Sequence, residues 1–302
     1  MNVLLTGAAG LIGMALRPVL EKRGHTVVPI DITDFGRGDS KLRLIALDER
    51  EPLESLIREQ GINAIIHCGA VSGPMMFQGQ PLKTIAANID ATALLLDLAR
   101  VHNMQRFVFC SSVSVYGNVG QATISETTPF APTSVYGATK AACEQLIQGF
   151  AVEYGLSAVS LRISRVYGPY RRANCHLNSM IRNSEKGIVT EIPCEPGFVY
   201  HYIYVDDVAE AILLVLEAKE LPHRVYNIGS GEAMTMASIL EAVTAANPSI
   251  HGRVIPGKDD VPDVQTAFDI SLIERDLGWA PRFTIGKGVA AYREAILAGQ
   301  SV

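Results

Sequence analysis

The sequence predicts an α/β fold in which a parallel β-sheet is covered by helices on both faces. Short apolar runs alternate with amphipathic stretches along most of the 302 residues, the pattern of repeated strand–helix units. The apolar runs are almost continuously hydrophobic, as expected for strands buried on both faces. A chain of this length also buries a large core.

Seven strands and six helices follow from this alternation. The predicted strands cover 2–6, 26–30, 43–47, 64–68, 106–110, 158–162 and 224–228. The predicted helices cover 11–23, 50–60, 84–102, 136–154, 207–218 and 235–246. After about residue 166 the regularity weakens and Pro, Gly, Asn and charged residues increase, which predicts a smaller lobe. We expect a main domain over 1–165 with its sheet completed by 200–246, and a substrate-binding lobe over 166–199 and 247–302.

The first strand runs into a Gly-x-x-Gly-x-x-Gly turn and then a helix. Gly7 permits a sharp turn, Gly10 lets a pyrophosphate approach the backbone, and Gly13 lets the helix pack close to the strand. The first helical amides, from Leu11 and Ile12 onward, would hold the phosphates of a dinucleotide. An ordinary tight turn is the alternative. We do not expect a signal peptide, because the positively charged start is missing and glycines interrupt the apolar run.

The second strand ends at Asp31. A carboxylate there accepts hydrogen bonds from both hydroxyls of an adenosine ribose and repels a 2′-phosphate, which favours NAD over NADP. Arg37 and Arg43 follow, but neither comes directly after the strand. A solvated loop acid is the alternative for Asp31.

The helix predicted over 136–154 begins with Tyr136 and carries Lys140 one turn later. This spacing places both side chains on one face of the helix. A tyrosine ionises near pH ~10 by itself, and a fixed positive charge beside it favours the phenolate. The pair is therefore a candidate proton shuttle for oxidising an alcohol or reducing a ketone.

The composition is typical of a soluble enzyme with small-molecule substrates. The net charge is −5 and no long basic run occurs, so nucleic acid and anionic membranes are not expected partners. No apolar run reaches membrane-spanning length. The five cysteines are scattered without a Cys-x-x-Cys pair, so we expect no metal site, no disulfide framework and a cytoplasmic location. Cys68 and Cys110 lie in apolar runs and are predicted to be small core residues.

A series of motifs, in order along nearly the whole chain, resembles the extended short-chain dehydrogenases/reductases, specifically the NAD-dependent epimerase/dehydratase group that includes UDP-galactose 4-epimerase. The motifs are Gly7-Ala8-Ala9-Gly10-Leu11-Ile12-Gly13, Asp31, His67-Cys68-Gly69-Ala70, Asn88-Ile89-Asp90-Ala91-Thr92, Cys110-Ser111-Ser112-Val113-Ser114-Val115-Tyr116-Gly117, Tyr136-Gly137-Ala138-Thr139-Lys140, Arg165-Val166-Tyr167-Gly168-Pro169, Ile203-Tyr204-Val205-Asp206-Asp207-Val208 and Tyr226-Asn227-Ile228-Gly229-Ser230-Gly231. The resemblance implies a Rossmann-type doubly wound sheet with a smaller C-terminal α/β substrate lobe, and NAD as cofactor.

The resemblance also implies roles for single residues. Tyr136 would be the general acid/base, Ser112 the hydroxyl that binds the substrate oxygen, and Lys140 the cation that serves the phenolate and the nicotinamide ribose. Asp48, Ala70 and Asn88 would line the cofactor groove. A serine that caps backbone at the strand end is the alternative for Ser112.

Five residues are predicted to contact the substrate. They are Ser72, Ser112, Tyr116, Arg165 and Tyr200. A buried, hydrogen-bonded core tyrosine is the alternative for Tyr116. For Tyr200, which alternates with Tyr202 and Tyr204 as in a strand, some side chains of the run must face the core.

The chain departs from the family pattern where a nucleotide diphosphate would bind. Nucleotide-sugar enzymes often carry an Arg just before the Asp-Phe-Ile-x-Val-x-Asp strand, where this chain has Tyr200-His201. A second Arg usually opens an Arg-Pro-Gly-Asp-Val stretch, and the chain has Gly257-Lys258-Asp259-Asp260-Val261 there. The 4,6-dehydratases place Asp-Glu after the catalytic hydroxyl, whereas Val113-Ser114 follow Ser112 here. Because both expected diphosphate-binding arginines are missing, the sequence favours a smaller sugar or sugar acid as the substrate.

We expect an NAD-dependent oxidoreductase or epimerase that transfers hydride at a carbinol of a sugar, nucleotide sugar or sugar acid. The resemblance further implies a homodimer formed by the helices at 84–102 and 136–154. A non-catalytic NAD-sensing or scaffold protein on the same fold is the alternative, and the intact Ser112, Tyr136 and Lys140 argue against it.

Overall fold

The computed structural model describes residues 1–73, 76–77, 79–120, 123–173, 175–258 and 263–299. The strands are β1 (Asn2–Thr6), β2 (Thr26–Asp31), β3 (Arg43–Leu44), β4 (Ala64–His67), β5 (Arg106–Ser112), β6 (Ala158–Ile163), β7 (Arg165–Tyr167), β8 (Thr190–Cys194), β9 (Val199–Tyr200), β10 (Tyr202–Tyr204), β11 (Val225–Ile228), β12 (Met234–Thr235) and β13 (Gly252–Pro256). The helices are α1 (Leu11–Lys22), α2 (Arg50–Glu59), α3 (Pro81–Ile85), α4 (Ala91–Val101), α5 (Val135–Tyr154), α6 (His176–Ser184), α7 (Val205–Glu217), α8 (Met236–Ala246), α9 (Ser271–Leu277) and α10 (Ile285–Leu297).

A seven-stranded parallel sheet forms the centre of the protein, in the order β11-β6-β5-β4-β1-β2-β3. Helices α1 and α7 cover one face, where Leu16 and Ile212 lie in the same buried cluster. Helices α2, α4 and α5 cover the other face, with Leu53, Leu95 and Ile147 in a second cluster. The predicted doubly wound α/β fold is therefore confirmed. Because the strands are parallel, the loops after β1, β4, β5 and β6 meet at one edge of the sheet.

Helix α5, which carries the Tyr-x-x-x-Lys pair, has clear signals at both ends. Ser134 is the N-cap, and its Oγ accepts a hydrogen bond from the Gly137 amide at 3.1 Å. Gly155 ends the helix with a left-handed φ of 68°. The element matches the predicted helix 136–154 to within one residue at its start.

The single helix predicted over 84–102 is divided in the structure. Helices α3 and α4 are separated by a π-helical turn, Ala86–Asp90. In that turn the Asn88 side chain accepts a hydrogen bond from the Val71 amide at 2.8 Å and donates one to Thr139 Oγ1 at 2.9 Å. The turn thus ties the loop after β4 to helix α5, and such turns often occur at functional sites.

Short strands and helices of the C-terminal half form what we call the small lobe: β7–β10, β12, β13, α6, α8 and α10. Three two-stranded pairs, β7–β10, β9–β12 and β8–β13, hold it together. Its core is rich in aromatic side chains, among them Tyr167, Tyr200 and Tyr292. Strands β7, β9, β10 and β12 were absent from the prediction, because strands of two or three residues carry too few positions to show a period. The longer β8, β13, α6 and α10 were not predicted either.

Candidate active site

The turn between β1 and α1 is shaped for close approach of a ligand to the backbone. Gly7 has a φ of 65°, and a Cβ on it would lie 2.6 Å from the Gly69 amide nitrogen. A Cβ on Gly13 would lie 2.6 Å from Ala8 Cα. Gly10 is the N-cap of α1 and has no side chain to satisfy the first helical amides. The turn therefore fits the pyrophosphate of a dinucleotide, which those amides would hold.

Asp31 lies directly beside this turn at the end of β2. Its Oδ2 accepts a hydrogen bond from the Ala9 amide at 3.0 Å, and its Oδ1 accepts one from the Ile32 amide at 2.8 Å. Arg37 comes close as well, because its Nη1 donates to the Ala9 carbonyl at 2.8 Å. The sequence did not predict that Arg37 lies at the turn, because the fold of the loop after β2 cannot be read from its residues.

The other predicted cofactor residues lie along the same edge of the sheet. The Gly69 amide donates to Thr6 Oγ1 at 3.0 Å, which places Ala70 just beyond the glycine turn. Asp48 is exposed and follows Leu47, whose Cδ1 would lie 3.1 Å from a Cβ on Gly69.

Lys140 is almost fully buried, with 4% of its surface exposed. Its Nζ donates to the Cys110 carbonyl at 2.8 Å and lies 4.5 Å from the centre of the Phe109 ring. Both contacts come from β5, so the ammonium is fixed against that strand. Tyr136, one turn earlier on α5, is half-buried. The ammonium is thereby held on the helix face that also carries the phenol.

Ser112 is the last residue of β5 and is 8% exposed. Its Oγ accepts a hydrogen bond from the Ser114 amide at 3.2 Å. The capping alternative is therefore present in the structure. It is compatible with a second role, because accepting a bond uses a lone pair and leaves the hydroxyl hydrogen to donate.

His67 is a packed structural residue. It is fully buried, and its ring nitrogens lie 2.7 Å from Thr6 Oγ1 and 3.1 Å from Thr92 Oγ1. Burial, aided by the nearby charge of Lys140, lowers the pKa of His67 to about 3. The ring is therefore neutral at physiological pH and is no candidate for the base.

Tyr116 belongs to a buried polar network that the sequence did not reveal. Its hydroxyl donates to Asn227 Oδ1 at 2.6 Å and accepts from Arg162 at 2.9 Å. Burial raises the pKa of Tyr116 to about 12. Since the side chain is fully buried and its hydroxyl is engaged, we assign Tyr116 a structural part and withdraw it as a substrate contact. Arg162 also pairs with Glu144 at 2.8 Å, one turn beyond Lys140 on α5.

The remaining predicted substrate residues lie in two places. Ser72 is exposed in the loop after β4, with its hydroxyl 3.5 Å from Met76 Sδ. Tyr200 is buried in the small lobe, and its ring stacks on Tyr202 at 5.7 Å. The guanidinium of Arg165 lies 5.3 Å and 5.7 Å from the centres of these two rings. A cavity beside them is lined by Tyr167, Tyr200, Tyr202, Ser230, Glu232, Met234, Ile239, Phe283 and Ile285.

Arg165 and Ser112 are brought to the same edge of the sheet. Ser112 is the register partner of Ile163 in β6, and Arg165 follows Ile163 by two residues. His201, next to Tyr200, is buried, and its Nε2 lies 3.2 Å from the Gln265 carbonyl. Burial lowers the pKa of His201. Of the predicted diphosphate-binding stretch at 257–261, residues 259–261 fall outside the described residues.

Across the described ranges, no group of three or more His, Cys, Asp or Glu side chains could hold a metal ion. In the same part of the chain, no helix is both long and apolar enough to span a bilayer.

Comparisons with known proteins agree with this geometry. The model of the NAD dependent epimerase/dehydratase family matches residues 3–229. A UDP-glucose 4-epimerase of Corynebacterium glutamicum is 30% identical over 94% of this chain and 92% of its own length. A dTDP-glucose 4,6-dehydratase of Neisseria meningitidis is 28% identical over 95% of this chain and 91% of its own.

Solved structures are similar over the full length. The UDP-glucose 4-epimerase of Thermus thermophilus, in complex with NAD, superposes with a TM-score of 0.83 at 29% identity, covering 98% of this chain and 100% of that one. That of Thermotoga maritima, with UDP-glucose, gives a TM-score of 0.87 at 25% identity and covers 100% of both chains. The chain therefore belongs to the NAD-dependent epimerase/dehydratase family, and NAD is its cofactor.

Proposed function

We propose that this enzyme acts at a carbinol of a sugar, with Tyr136 as the base, and that its product is the epimer. The observation that carries the proposal is the joint placement of Ser112 at the end of β5 and of Tyr136 and Lys140 on α5. Bound NAD supplies a hydride acceptor. The residues of this chain then have to orient the alcohol and remove its proton.

Tyr136 takes the proton of the substrate hydroxyl. The contact of Lys140 with the Cys110 carbonyl fixes the ammonium on the face of α5 that also carries Tyr136. An ammonium has three N–H donors, so one bond to Cys110 leaves donors for the nicotinamide ribose.

Ser112 orients the substrate oxygen. Its Oγ accepts from the Ser114 amide, and its own hydrogen donates to the oxygen as carbonyl character develops. Reversal on the other face of the ketone gives the epimer and regenerates the starting state of Tyr136.

One observation favours epimerisation over dehydration. Val113 and Ser114 stand where a 4,6-dehydratase has Asp-Glu, so that pair of carboxylates is missing after Ser112. The full-length relatives include both UDP-glucose 4-epimerases and dTDP-glucose 4,6-dehydratases, which supports a nucleotide sugar as the substrate.

A second candidate is net dehydrogenation of a sugar acid. It is favoured by Tyr200-His201, which stand where a diphosphate-binding Arg is expected. It is also favoured by the guanidinium of Arg165, which lies against the rings of Tyr200 and Tyr202. A planar guanidinium binds a carboxylate with two parallel hydrogen bonds.

One experiment separates the candidates. The purified protein is assayed for tightly bound NAD and incubated with UDP-sugars and, separately, with uronic and aldonic acids plus free NAD. An epimerase retains NAD and interconverts a sugar pair without net NADH. Stoichiometric NADH from a sugar acid supports the dehydrogenase, and inactivity on both panels with bound NAD supports the sensor or scaffold alternative.

We further propose the division into an NAD-binding domain over 1–165, completed by 200–246, and a substrate lobe over 166–199 and 247–302. Supporting a separate lobe, Leu177 and Met180 of 166–199 lie in an apolar core apart from those of the sheet. Ile239 of α8 lies in the same core, so the boundary within 200–246 differs from the one expected from the sequence. Five cysteines present as free thiols support the proposed cytoplasmic location.

We also propose a homodimer through α4 and α5. Leu95 and Leu98 of α4 and Ala141 of α5 are buried within the chain. Val152 on α5 and Leu82 on the adjacent α3 are instead 73% and 77% exposed, and they supply apolar surface for a partner. Light scattering at micromolar concentration should give twice the chain mass, and Val152→Lys should shift it towards the monomer.

A further inference from the structure

Cys68 and Cys110 lie side by side beneath the candidate active site. His67 of β4 is the register partner of Phe109 of β5, so the two cysteines follow as neighbours at the carboxyl edge of the sheet. Their Sγ atoms are 3.3 Å apart. Adjacent strands are about 4.8 Å apart, and a disulfide spans Cα atoms about 4.4–6.8 Å apart. The backbone therefore already meets the main requirement for a disulfide.

Each cysteine touches a different part of the site through its backbone. A Cβ on Gly7 would lie 2.7 Å from the Cys68 carbonyl carbon and 2.8 Å from its oxygen, so Cys68 packs directly against the glycine turn. The Cys110 carbonyl accepts the hydrogen bond from Lys140 Nζ at 2.8 Å. A shift in the position of these two cysteines would therefore displace both the glycine turn and the ammonium of Lys140.

We propose that Cys68 and Cys110 are an oxidative modification site, at which a small disulfide such as oxidised glutathione converts the two thiols into an internal disulfide that impairs cofactor binding and turnover. The effect on turnover rests on the proposed function, whereas formation of the bond does not.

The reaction is an ordinary double exchange. Cys68, which is half-buried whereas Cys110 is buried, attacks the small disulfide as its thiolate, forms a mixed disulfide and releases one thiolate. Cys110 then attacks Cys68 Sγ and releases the second. Two electrons pass from the protein sulfurs to the small disulfide, and the two protein thiol protons end on the two released thiols.

Bond formation must move the two cysteine side chains within a packed part of the site. The sulfur atoms have to approach from 3.3 Å to about 2.05 Å, and the packed interior transmits such shifts. A misplacement of about 1 Å costs an active site up to ~10²-fold in rate. The hydrogen bond with Cys110, together with burial, raises the pKa of Cys68, so the oxidation is slow and the experiment uses prolonged exposure.

The test uses the full chain treated with oxidised glutathione and then quenched by alkylation. We expect peptide mapping to find a Cys68–Cys110 link and calorimetry to show weaker NAD binding. Turnover should fall by up to ~10²-fold, and dithiothreitol should restore both properties. Mapping and NAD affinity need no substrate, so a failure of the proposed function does not obscure them.

Matched variants locate the effect. Cys68→Ser and Cys110→Ser, or the alanine variants if either serine variant does not fold, should keep their NAD affinity under oxidant. Cys143→Ser removes another buried thiol and should remain sensitive. The proposal is overturned if no Cys68–Cys110 link forms, if the link forms without weaker NAD binding, or if Cys143→Ser alone gives protection.

Discussion

The glycine turn and the small lobe face the same active-site edge but are built from different parts of the chain. The turn offers backbone: helical amides, Gly7 and Gly13, with Asp31 and Arg37 as charged neighbours. The small lobe offers side chains, with the rings of Tyr200 and Tyr202 beneath the guanidinium of Arg165.

This difference has a consequence for evolution of specificity. At Gly7 and Gly13 any substitution adds a side chain that meets neighbouring backbone. The turn therefore accepts only ligands that fit its present shape. A side chain in the lobe can be replaced without altering the sheet. Cofactor binding should therefore be sensitive to added bulk at the turn, and substrate choice should be sensitive to the chemistry of the side chains in the lobe.

The largest effect is expected at the turn. Gly13→Ala adds a Cβ that would lie 2.6 Å from Ala8 Cα and closer still to the Gly7 carbonyl oxygen. Because both are backbone, the turn must move, and NAD binding should be lost in calorimetric titration. The control is Gly149→Ala on α5, where nothing lies within 4 Å of the new Cβ. It should bind NAD normally and gain about 0.5–1 kcal/mol of stability. Normal NAD binding by Gly13→Ala would show that the turn is not a rigid backbone site.

Tyr136→Phe should give the next largest effect. The ring and its packing remain, but the proton acceptor is lost, so turnover should fall by roughly 10²–10⁴-fold with NAD affinity nearly unchanged. Ser112→Ala should reduce turnover less, because it removes one hydrogen bond and no proton carrier. Tyr154→Phe, at an exposed tyrosine of the same helix, is the control. Near-normal turnover of Tyr136→Phe would show that Tyr136 is not the base, and His201 would then be tested in that role.

Lys140→Met separates the two duties of the ammonium. Turnover and NAD affinity should both fall, because the charge serves the phenolate and the ribose. Steady-state kinetics combined with NAD titration measures the two effects independently. A loss of turnover with intact NAD affinity would restrict Lys140 to the phenolate.

Arg165→Met tests the side-chain half of the comparison. If the guanidinium binds an anionic group of the substrate, KM should rise roughly 10- to 100-fold, the loss of a charged hydrogen bond, while NAD affinity stays constant. Arg253→Met removes a guanidinium elsewhere in the small lobe, where it pairs with Glu191, and should leave KM unchanged. An unchanged KM for Arg165→Met would place the anion elsewhere.

The sequence was sufficient for the glycine turn and for Tyr136 with Lys140, because each pattern lies within about two helical turns of chain. It was not sufficient for Glu144 and Arg162, whose pairing depends on α5 packing over β6. The contact between Cys68 and Cys110 likewise required the register of β4 on β5.

Most elements of the small lobe were not predicted from the sequence, although its helix α8 was. Its strands β9 and β12 have two residues each, and they become strands only by pairing with each other. The structural part of Tyr116 was left open for a similar reason. Its partners Arg162 and Asn227 lie 46 and 111 residues away in sequence, and no local pattern reports such contacts.

The smallest effect is expected from Asp31→Asn, and it tests the negatively charged group at the turn. Asparagine keeps an oxygen that can accept from the Ala9 amide, so the turn should survive. The loss of negative charge should raise the affinity for NADPH relative to NADH by about tenfold, since nearby unit charges contribute ~1–4 kcal/mol near a protein surface. Arg37, whose Nη1 contacts the Ala9 carbonyl at 2.8 Å, adds attraction for a 2′-phosphate once the carboxylate is gone. Fluorescence titration with both cofactors gives the ratio, and Asp34→Asn in the same loop is the control. If the unaltered enzyme already binds NADPH as tightly as NADH, or if Asp31→Asn leaves the ratio of the two affinities unchanged, charge at Asp31 does not select the cofactor.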